Sequence, residues 1–308
     1  MIDRLWHAVL DVLGRFGEVD ARLVLVALAL HVVNHLLRSL AWRNVLRAAY
    51  PEQRVGLIPV ASAYAVGVAL NAVVPGRGGD AAKVALMRMR LRGSTVPAIA
   101  STLSVVVLFD LVAGTALLLA VCLTGAVPLS LDVPSLPSAW MIAAAALVAL
   151  SAAVLIARRL RASVRRLRDQ VARGGAILRT PRRYAGSVVA VQAGAWACRI
   201  GVVYFLLAAF GLEPTVARAA LVMVLCGAST LVPLTPGGAG TQQVMLAFAL
   251  SHVAAASVVV SFSVGMQAGV TAVNALLGLA AGMVAFGTMH PLRALRSGLR
   301  VARAPGVG

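Results

Sequence analysis

Apolar runs of about 20 residues recur along the whole chain, and they constrain its fold more than any other feature. Each run is long enough to cross the hydrocarbon core of a bilayer as a helix. The runs do not alternate polar and apolar residues, as the strands of a membrane β-barrel do. The sequence therefore predicts an all-α, polytopic bundle of membrane helices. The runs begin near Leu23, Leu57, Val96, Ala139, Gly186, Ala219 and Ser257.

The charge of the chain is strongly positive, but its distribution indicates a membrane rather than a nucleic acid. The net charge is +18 over 308 residues, of which 60% are hydrophobic and 12% are charged. Most basic residues stand at the ends of apolar runs, where the positive-inside rule places them. Aromatic residues are too scattered to build base-stacking platforms. We therefore predict a multi-pass protein of the cell (cytoplasmic) membrane that does not bind nucleic acid.

Cysteine and histidine spacing gives no sign of a metal or a cofactor. The three cysteines lie within apolar runs, and the five histidines form no H-E-x-x-H motif or Cys/His cluster. No G-x-x-x-x-G-K-[ST] motif for ATP occurs either. We expect neither a metal site nor a cofactor, and any transport would be driven by a gradient or by the substrate itself.

Charges between the runs predict which side of the membrane each loop faces. The loop of residues 158–185 carries ten arginines and is therefore predicted to be cytoplasmic. Residues 124–138 contain no basic residue and are predicted to face outside. The predicted domains are an amphipathic segment on the membrane surface at residues 1–20, a transmembrane domain at residues 21–290 and a basic cytoplasmic tail at residues 291–308.

Two of the apolar runs break at a proline that is followed by a glycine pair: VVPGRGGD at residues 73–80 and VPLTPGGAG at residues 232–240. Proline and glycine interrupt a helix and leave backbone groups that must find partners inside the protein or in a water-filled cavity. Given the predicted loop positions, the first break is a hairpin that enters from the cytoplasm and returns as a half-helix over residues 80–92. The second, within residues 219–254, is a hairpin that enters from outside.

Similar residues recur at nearly the same spacing in the two halves of the chain. The two glycine pairs are 159 residues apart, and Arg38 and Arg199 are 161 residues apart. Equivalent breaks in opposed hairpins are typical of inverted-topology repeats. The fold prediction is therefore a helical bundle with an inverted repeat and two oppositely oriented broken-helix hairpins. Arg38 itself is counted with a cytoplasmic basic cluster at residues 38–54.

The first break carries charge. Arg77 and Lys83 would hold a phosphate or another anion, together with free N–H groups at the start of the half-helix. That start is the pair Gly78 and Gly79. Asp80 follows directly and lies on the same helix face as Lys83. The alternative is that Asp80 caps the half-helix and pairs with Lys83, with no binding role.

Two charged residues stand inside apolar runs. Asp110 lies mid-run in VVVLFDLVAG, and Arg199 follows Trp196 in another span. Ionisable groups at membrane depth mark functional sites and need partners. The candidate partners of Asp110 are Arg77, Lys83 and Arg199. A structural ion pair that fixes helix packing is the alternative for Asp110, and a structural role is the alternative for Arg199.

The second break, TPGGAGTQQ, has no charge. It could bind a headgroup through neutral hydrogen bonds and free backbone N–H groups, or it could form only a packing turn. Its candidate binding residues are Pro236, Gly237, Gly238 and Gln242.

Two further patterns lie in the spans. His31, Asn34 and His35 on the first span are interpreted as core polar contacts, with a proton relay as the alternative. Two G-x-x-x-G pairs between residues 265 and 282 predict close helix packing and are weakly indicative of a homo-oligomer.

Four segments in order, LAWRNVLRA, NAVVPGRGGDAAKV, LFDLVAG and LVPLTPGGAGTQQ, resemble the lysylphosphatidylglycerol synthetase transmembrane region family. These proteins are also called flippase-like or UPF0104-type membrane proteins. The resemblance covers about residues 20–290. The family includes the membrane half of the multiple peptide resistance factor, which is taken to move aminoacylated phosphatidylglycerol between leaflets.

The chain departs from the family pattern at three places. Asp80 and Lys83 stand where the family has Glu and Arg, which keeps the charges. Valines precede Asp110 where the family has Glu-Arg, so that arginine is missing. Gln242 and Gln243 stand where the family has Glu, so the second site lacks its carboxylate.

The resemblance implies a lipid flippase or transporter, not an enzyme, that moves a phosphate-bearing lipid between leaflets. The lipid would be of the aminoacyl-phosphatidylglycerol or polyprenyl-phosphate-linked type, so the expected partner is a membrane lipid with an anionic headgroup. The chain has no room for the soluble aminoacyl-transferase domain, and we do not expect it to synthesise the aminoacyl lipid. The alternatives are a non-transporting lipid-binding partner of a separate synthase or glycosyltransferase, and an intramembrane lipid-headgroup enzyme.

Overall fold

The structure is a computed structural model that describes residues 14, 16–73, 78–123, 171–229, 240–251 and 253–286. Within these residues, all regular secondary structure is helical. Short 3₁₀ turns precede the first and fifth helices, and a π-helical turn at Ala185–Val189 lies inside the fifth. In chain order the helices are α1 (Ala21–Ala49), α2 (Leu57–Val73), α3 (Gly78–Arg90), α4 (Val96–Leu123), α5 (Pro181–Ala209), α6 (Val216–Ser229), α7 (Thr241–Ala249) and α8 (Ala256–Phe286).

Four of the described helices are long and apolar enough to cross a bilayer. They are α1, α5, the segment Val96–Val121 of α4 and the segment Ala256–Val284 of α8. A helix of this length measures roughly 40 Å, which exceeds the hydrocarbon core of about 30 Å. Helices α2 and α6 are apolar but shorter. The chain is therefore an integral membrane protein that crosses the membrane several times.

Polar residues and glycines fix where the helices begin and end. The Asp20 carboxylate accepts a hydrogen bond from the N–H of Arg22 at 2.8 Å and begins α1 as its N-cap. Gly93 and Gly211 follow α3 and α5 with φ values of 65° and 71°, which other residues rarely adopt. The long apolar stretches are thus bounded by residues that start or stop a helix.

Helix α1 lies at the centre of the bundle and packs along α5. The fully buried Trp42 of α1 donates its indole N–H to the hydroxyl of Thr102 on α4, at 3.0 Å. Nearby, the amide of Asn44 donates to the backbone carbonyl of Ser187 on α5, at 2.8 Å. These two hydrogen bonds hold the C-terminal half of α1 against both α4 and α5.

Helices α2 and α3 form an antiparallel pair that is held at both ends. The N–H of Gly79 donates to the side-chain oxygen of Asn71 at 2.8 Å. A Cβ added to Gly79 would fall 1.8 Å from the carbonyl oxygen of Gly67, so only glycine permits this approach. At the other end, the Gln53 side chain exchanges hydrogen bonds of 2.9 and 3.0 Å with the backbone of Arg92.

The predicted all-α membrane fold is confirmed, and the first predicted hairpin corresponds to α2 and α3. The half-helix begins at Gly78 rather than at Asp80, because the glycine pair is itself helical. The inverted repeat, the orientation in the membrane and the domain boundaries stay predictions. Outside the described residues lie the run from Ala139, the tail at 291–308, most of segment 1–20 and residues 158–170 of the loop 158–185.

Candidate functional site

A cavity of about 860 Å³ lies between helices α1 to α7, and its described lining is rich in charged side chains. Three of these side chains are cations and two are carboxylates, so the described lining carries a net positive charge. Charged side chains inside a membrane protein need partners. The partner of each one therefore indicates whether its role is structural or whether it could bind a ligand. The charged lining residues are Arg38, Asp80, Lys83, Asp110 and Arg199.

Arg38 and Asp110 form an ion pair that joins α1 to α4. One guanidinium N–H donates to Asp110 Oδ1 at 3.1 Å, and the other terminal nitrogen bonds Oδ2. The Nε of Arg38 also donates to the hydroxyl of Tyr64, and the indole N–H of Trp196 donates to Asp110 Oδ1 at 3.0 Å. The two side chains are only 15% and 20% exposed. Asp110 is therefore neutralised and held by three donor atoms from two helices.

This pairing corrects one prediction. Arg77, Lys83 and Arg199 are the partners that the sequence suggests for Asp110, whereas the ion pair in the described residues is with Arg38. The basic cluster at residues 38–54 also places Arg38 at the end of a span. The structure instead continues α1 to Ala49, so Arg38 lies roughly 16 Å inside the helix.

Lys83 is the second cation and is bound within its own helix. Its ammonium donates to Asp80 Oδ1 at 2.8 Å, one turn earlier on α3. The same ammonium lies 4.4 Å from the centre of the Tyr64 ring on α2, a distance at which a cation is attracted to the ring face. Lys83 is 5% exposed. The pairing of Asp80 with Lys83, which belongs to the alternative interpretation of the first break, is present, whereas Asp80 lies inside the first turn of α3 and does not precede it as a cap.

Arg199 is the third cation, and it differs from the other two. Its guanidinium lies 5.0 Å from the centre of the Trp196 ring, because the two residues are one turn apart on α5. It makes no hydrogen bond or ion pair with any described residue. The cavity thus contains a cation that is stacked on an aromatic ring and whose hydrogen-bond donors have no acceptor among the described residues.

The two glutamines of the second break have separate places in the structure. Gln242 lines the cavity, is 7% exposed and has no hydrogen bond to a described residue. Gln243 instead accepts the N–H of Gly240 at 2.7 Å and donates to Gln267 of α8 at 2.6 Å. Gln243 therefore fixes the start of α7, while the Gln242 amide remains available to a bound group.

The structure brings several predicted site residues to one cavity and leaves others aside. Asp80, Lys83, Asp110, Arg199 and Gln242 all line it. Gly79 serves the α2–α3 contact, Gly78 begins α3, and neither is a lining residue. Arg77, Pro236, Gly237 and Gly238 lie outside the described residues.

The lining residues that were not predicted as part of the site include Arg38, Tyr64 and Trp196. A signal for Arg38 does exist in the sequence. His31, His35 and Arg38 recur at helical spacing along α1, which makes a polar stripe on a helix that is otherwise apolar. Nothing comparable marks Tyr64, which is a single tyrosine in an apolar run.

Part of the cavity lining is apolar. Val107, Leu111 and Leu118 of α4 line the cavity and are 40%, 65% and 43% exposed, so they also face the surroundings of the bundle. A space lined by both cations and exposed apolar side chains suits an amphiphile with an anionic head. Among the described residues there is no group of three His, Cys, Asp or Glu side chains that could hold a metal ion.

Comparison with known protein families adds one finding. The family described as "Lysylphosphatidylglycerol synthase TM region" matches residues 6–292. Comparisons of the chain with curated proteins and with solved structures found no match.

Proposed function

Since the chain belongs to the lysylphosphatidylglycerol synthase TM region family, we propose that it binds a lipid with a phosphate in its headgroup and moves that lipid between leaflets. The aminoacyl-phosphatidylglycerol and polyprenyl-phosphate-linked lipids are the two classes in question. The headgroup would enter the charged cavity, and the tails would stay in the bilayer.

The observation that carries this proposal is the guanidinium of Arg199, which stacks on Trp196 and has no hydrogen bond or ion pair with a described residue. An uncompensated charge inside a membrane protein is costly, so a partner for it is expected. Asp110 is occupied by Arg38, and Asp80 is occupied by Lys83. A phosphate matches the remaining donors, because guanidinium groups bind phosphate through paired, charge-assisted hydrogen bonds. The amide of Gln242 offers a further donor in the same cavity.

The apolar side of the cavity supports a lipid rather than a free anion. Leu111 and Leu118 border the cavity and are also exposed on the outside of the bundle. Acyl or polyprenyl chains could lie against this stripe of α4 while the phosphate reaches Arg199. The head and the tails of one lipid would then meet surfaces of matching polarity.

The occupied carboxylates favour transport over catalysis. An intramembrane enzyme would need a carboxylate or another group that is free to exchange a proton with the substrate. Each lining carboxylate is instead in an ion pair, with distances such as 2.8 Å between Lys83 and Asp80.

A leaflet-resolved assay in proteoliposomes tests the proposal. Purified protein is reconstituted with head-labelled phosphatidylglycerol, lysyl-phosphatidylglycerol or polyprenyl phosphate, and the label in the outer leaflet is followed with an impermeant quencher. Wild-type protein should speed the exchange of at least one lipid. Arg199→Gln should slow it by roughly 10- to 100-fold, the loss expected for one hydrogen bond between charged groups.

The matched control is Arg88→Gln, which removes an arginine from the exposed face of α3. It should leave the exchange rate unchanged. Equal rates for wild type and Arg199→Gln would refute the site. Lipid binding without exchange would instead favour a non-transporting partner of a synthase or glycosyltransferase.

A further inference from the structure

A second polar cluster joins α1 to α8 beside the cavity. His31 and His35 are one turn apart on α1, and both rings point their Nε2 atoms at Asn274 of α8. The distances to Asn274 Oδ1 are 2.9 Å from His31 and 2.8 Å from His35, and the two Nε2 atoms are 3.1 Å apart. None of the three lines the cavity.

The hydrogen bonds restrict where the ring protons lie. A carbonyl oxygen has two lone pairs, so Asn274 Oδ1 can accept from both rings if each carries its proton on Nε2. A proton on Nδ1 of His35 would instead be fully buried and without a hydrogen-bond partner. A buried N–H without an acceptor is more costly than a bare acceptor. His35 is therefore assigned as a neutral Nε2–H donor with an unprotonated Nδ1.

The two rings differ in burial. Nδ1 of His35 is fully buried, whereas the residue His31 is partly exposed. We therefore take His31 as the ring at which a proton enters the pair. It would give an imidazolium whose Nε2–H still donates to Asn274, so the hydrogen bonds of the cluster would survive protonation.

The cluster is close to the cations of the cavity. The ring centres of His35 and Tyr64 are 6.0 Å apart, and Tyr64 itself contacts both Arg38 and Lys83. The charged and titratable groups around the pair come from every neighbouring helix. They are Arg38 on α1, Tyr64 on α2, Lys83 with Asp80 on α3, Asp110 on α4 and Arg199 on α5.

We infer that the His31–His35 pair takes up a proton when an anionic headgroup binds in the cavity. With the cavity empty, a proton on the pair would add to three nearby cations, of which two are in ion pairs and Arg199 has no ion pair with a described residue. A bound phosphate supplies the missing negative charge and makes the extra proton favourable. By linkage, a fall in pH then strengthens binding of the anion. This inference rests on the proposed function and adds the proton as its coupled ion.

Calorimetric titration with short-chain phosphatidylglycerol, at about pH 6.5 in lipid nanodiscs, tests this coupling. Its phosphodiester stays singly charged over the range in which histidine titrates, so the ligand contributes no protons. Titration in two buffers with different ionisation enthalpies counts the protons taken up per lipid bound. We expect an uptake of up to about one proton, and affinity that rises by at most about tenfold for each pH unit lowered.

Variants of the two histidines test whether these residues take up the proton. His31→Gln with His35→Gln should bind with an affinity that does not depend on pH and with no proton uptake. His31→Gln alone removes the accessible ring and should give the same result if the double variant does not fold. Arg199→Gln should weaken binding at every pH.

The outcomes separate this inference from the proposed function. Binding by wild type without proton uptake would overturn the coupling and leave the proposed function intact. Uptake that persists in the histidine variants would also overturn it, because another group would then carry the proton. No binding by wild type at any pH would overturn the proposed function and this inference with it.

Discussion

Arg38 and Arg199 occupy equivalent positions in the two halves of the predicted repeat, yet their surroundings differ. Arg38 on α1 donates to both oxygens of Asp110 and to Tyr64. Arg199 on α5 contacts the ring of Trp196 and has no ion pair with a described residue. The same indole connects the two, because its N–H donates to Asp110 while its face carries Arg199.

The difference indicates two roles for arginine in this cavity: Arg38 stabilises the packing of the helices, and Arg199 is proposed to bind a ligand. The carboxylate of Asp110 forms an ion pair with Arg38. This pair holds α1 against α4 and adds no net charge to the cavity. Arg199 has no ion pair with a described residue, and we propose that its charge attracts a ligand. A comparison of the two arginines therefore separates stability from binding.

The largest expected effect is on stability. Arg38→Met should lower the free energy of unfolding by about 3 to 5 kcal/mol, because it leaves Asp110 buried and unpaired. Arg199→Met should change it by less than about 1 kcal/mol, because only the contact with the Trp196 ring is lost. Unfolding in mixed micelles with increasing SDS measures both values.

The control for this pair is the double variant Arg38→Met with Asp110→Leu. It removes both charges together and should recover most of the lost stability. If Arg199→Met proves as destabilising as Arg38→Met, the proposed division of roles between the arginines is wrong.

The next effect concerns binding. Gln242→Glu places a carboxylate in the cavity and cancels its net positive charge, so affinity for short-chain phosphatidylglycerol should fall by about tenfold. Gln243→Glu is the matched control. It adds the same charge one residue away, at a side chain that bonds Gly240 and Gln267 instead of lining the cavity. Calorimetric titration should show little loss of affinity for the control, and equal losses would contradict the separate places of the two residues.

The smallest effect concerns the shared indole. Trp196→Phe removes the N–H donor to Asp110 but keeps a ring beneath Arg199. It should cost about 1 kcal/mol of unfolding free energy and change anion affinity by no more than about twofold. Trp196→Leu removes the ring as well and should also weaken binding. Unchanged affinity in Trp196→Leu would show that the ring does not hold Arg199 in place.

The membrane fold and part of the site could be predicted from the sequence because both depend on local chemistry. Apolar runs of spanning length predict helices wherever they occur. Asp110 and Arg199 are conspicuous because a charge in such a run must face protein or a cavity. Asp80 and Lys83 are one turn apart, and their pairing follows from helix geometry alone.

The partner of Asp110 could not be predicted in the same way. It depends on how α1 packs beside α4, which is a property of the whole bundle. Arg38 was also obscured by its neighbours, since it begins a row of arginines typical of a span end. The separation of Gln242 from Gln243 depends on where α7 begins, because adjacent residues on a helix point about 100° apart.

The α2–α3 pair has a mechanical consequence. Its two helices are fastened at Gly79 and again at Arg92, and Lys83 lies between these points, facing Tyr64. The two helices should therefore move as one rigid body, in which the distance between Lys83 and Tyr64 stays constant. The α2–α3 pair packs against α1, α4 and α8, so we expect any change in the shape of the cavity to alter these contacts. The ion pair of Arg38 and Asp110 joins two of these three helices, α1 and α4, and should keep them together while the α2–α3 pair moves.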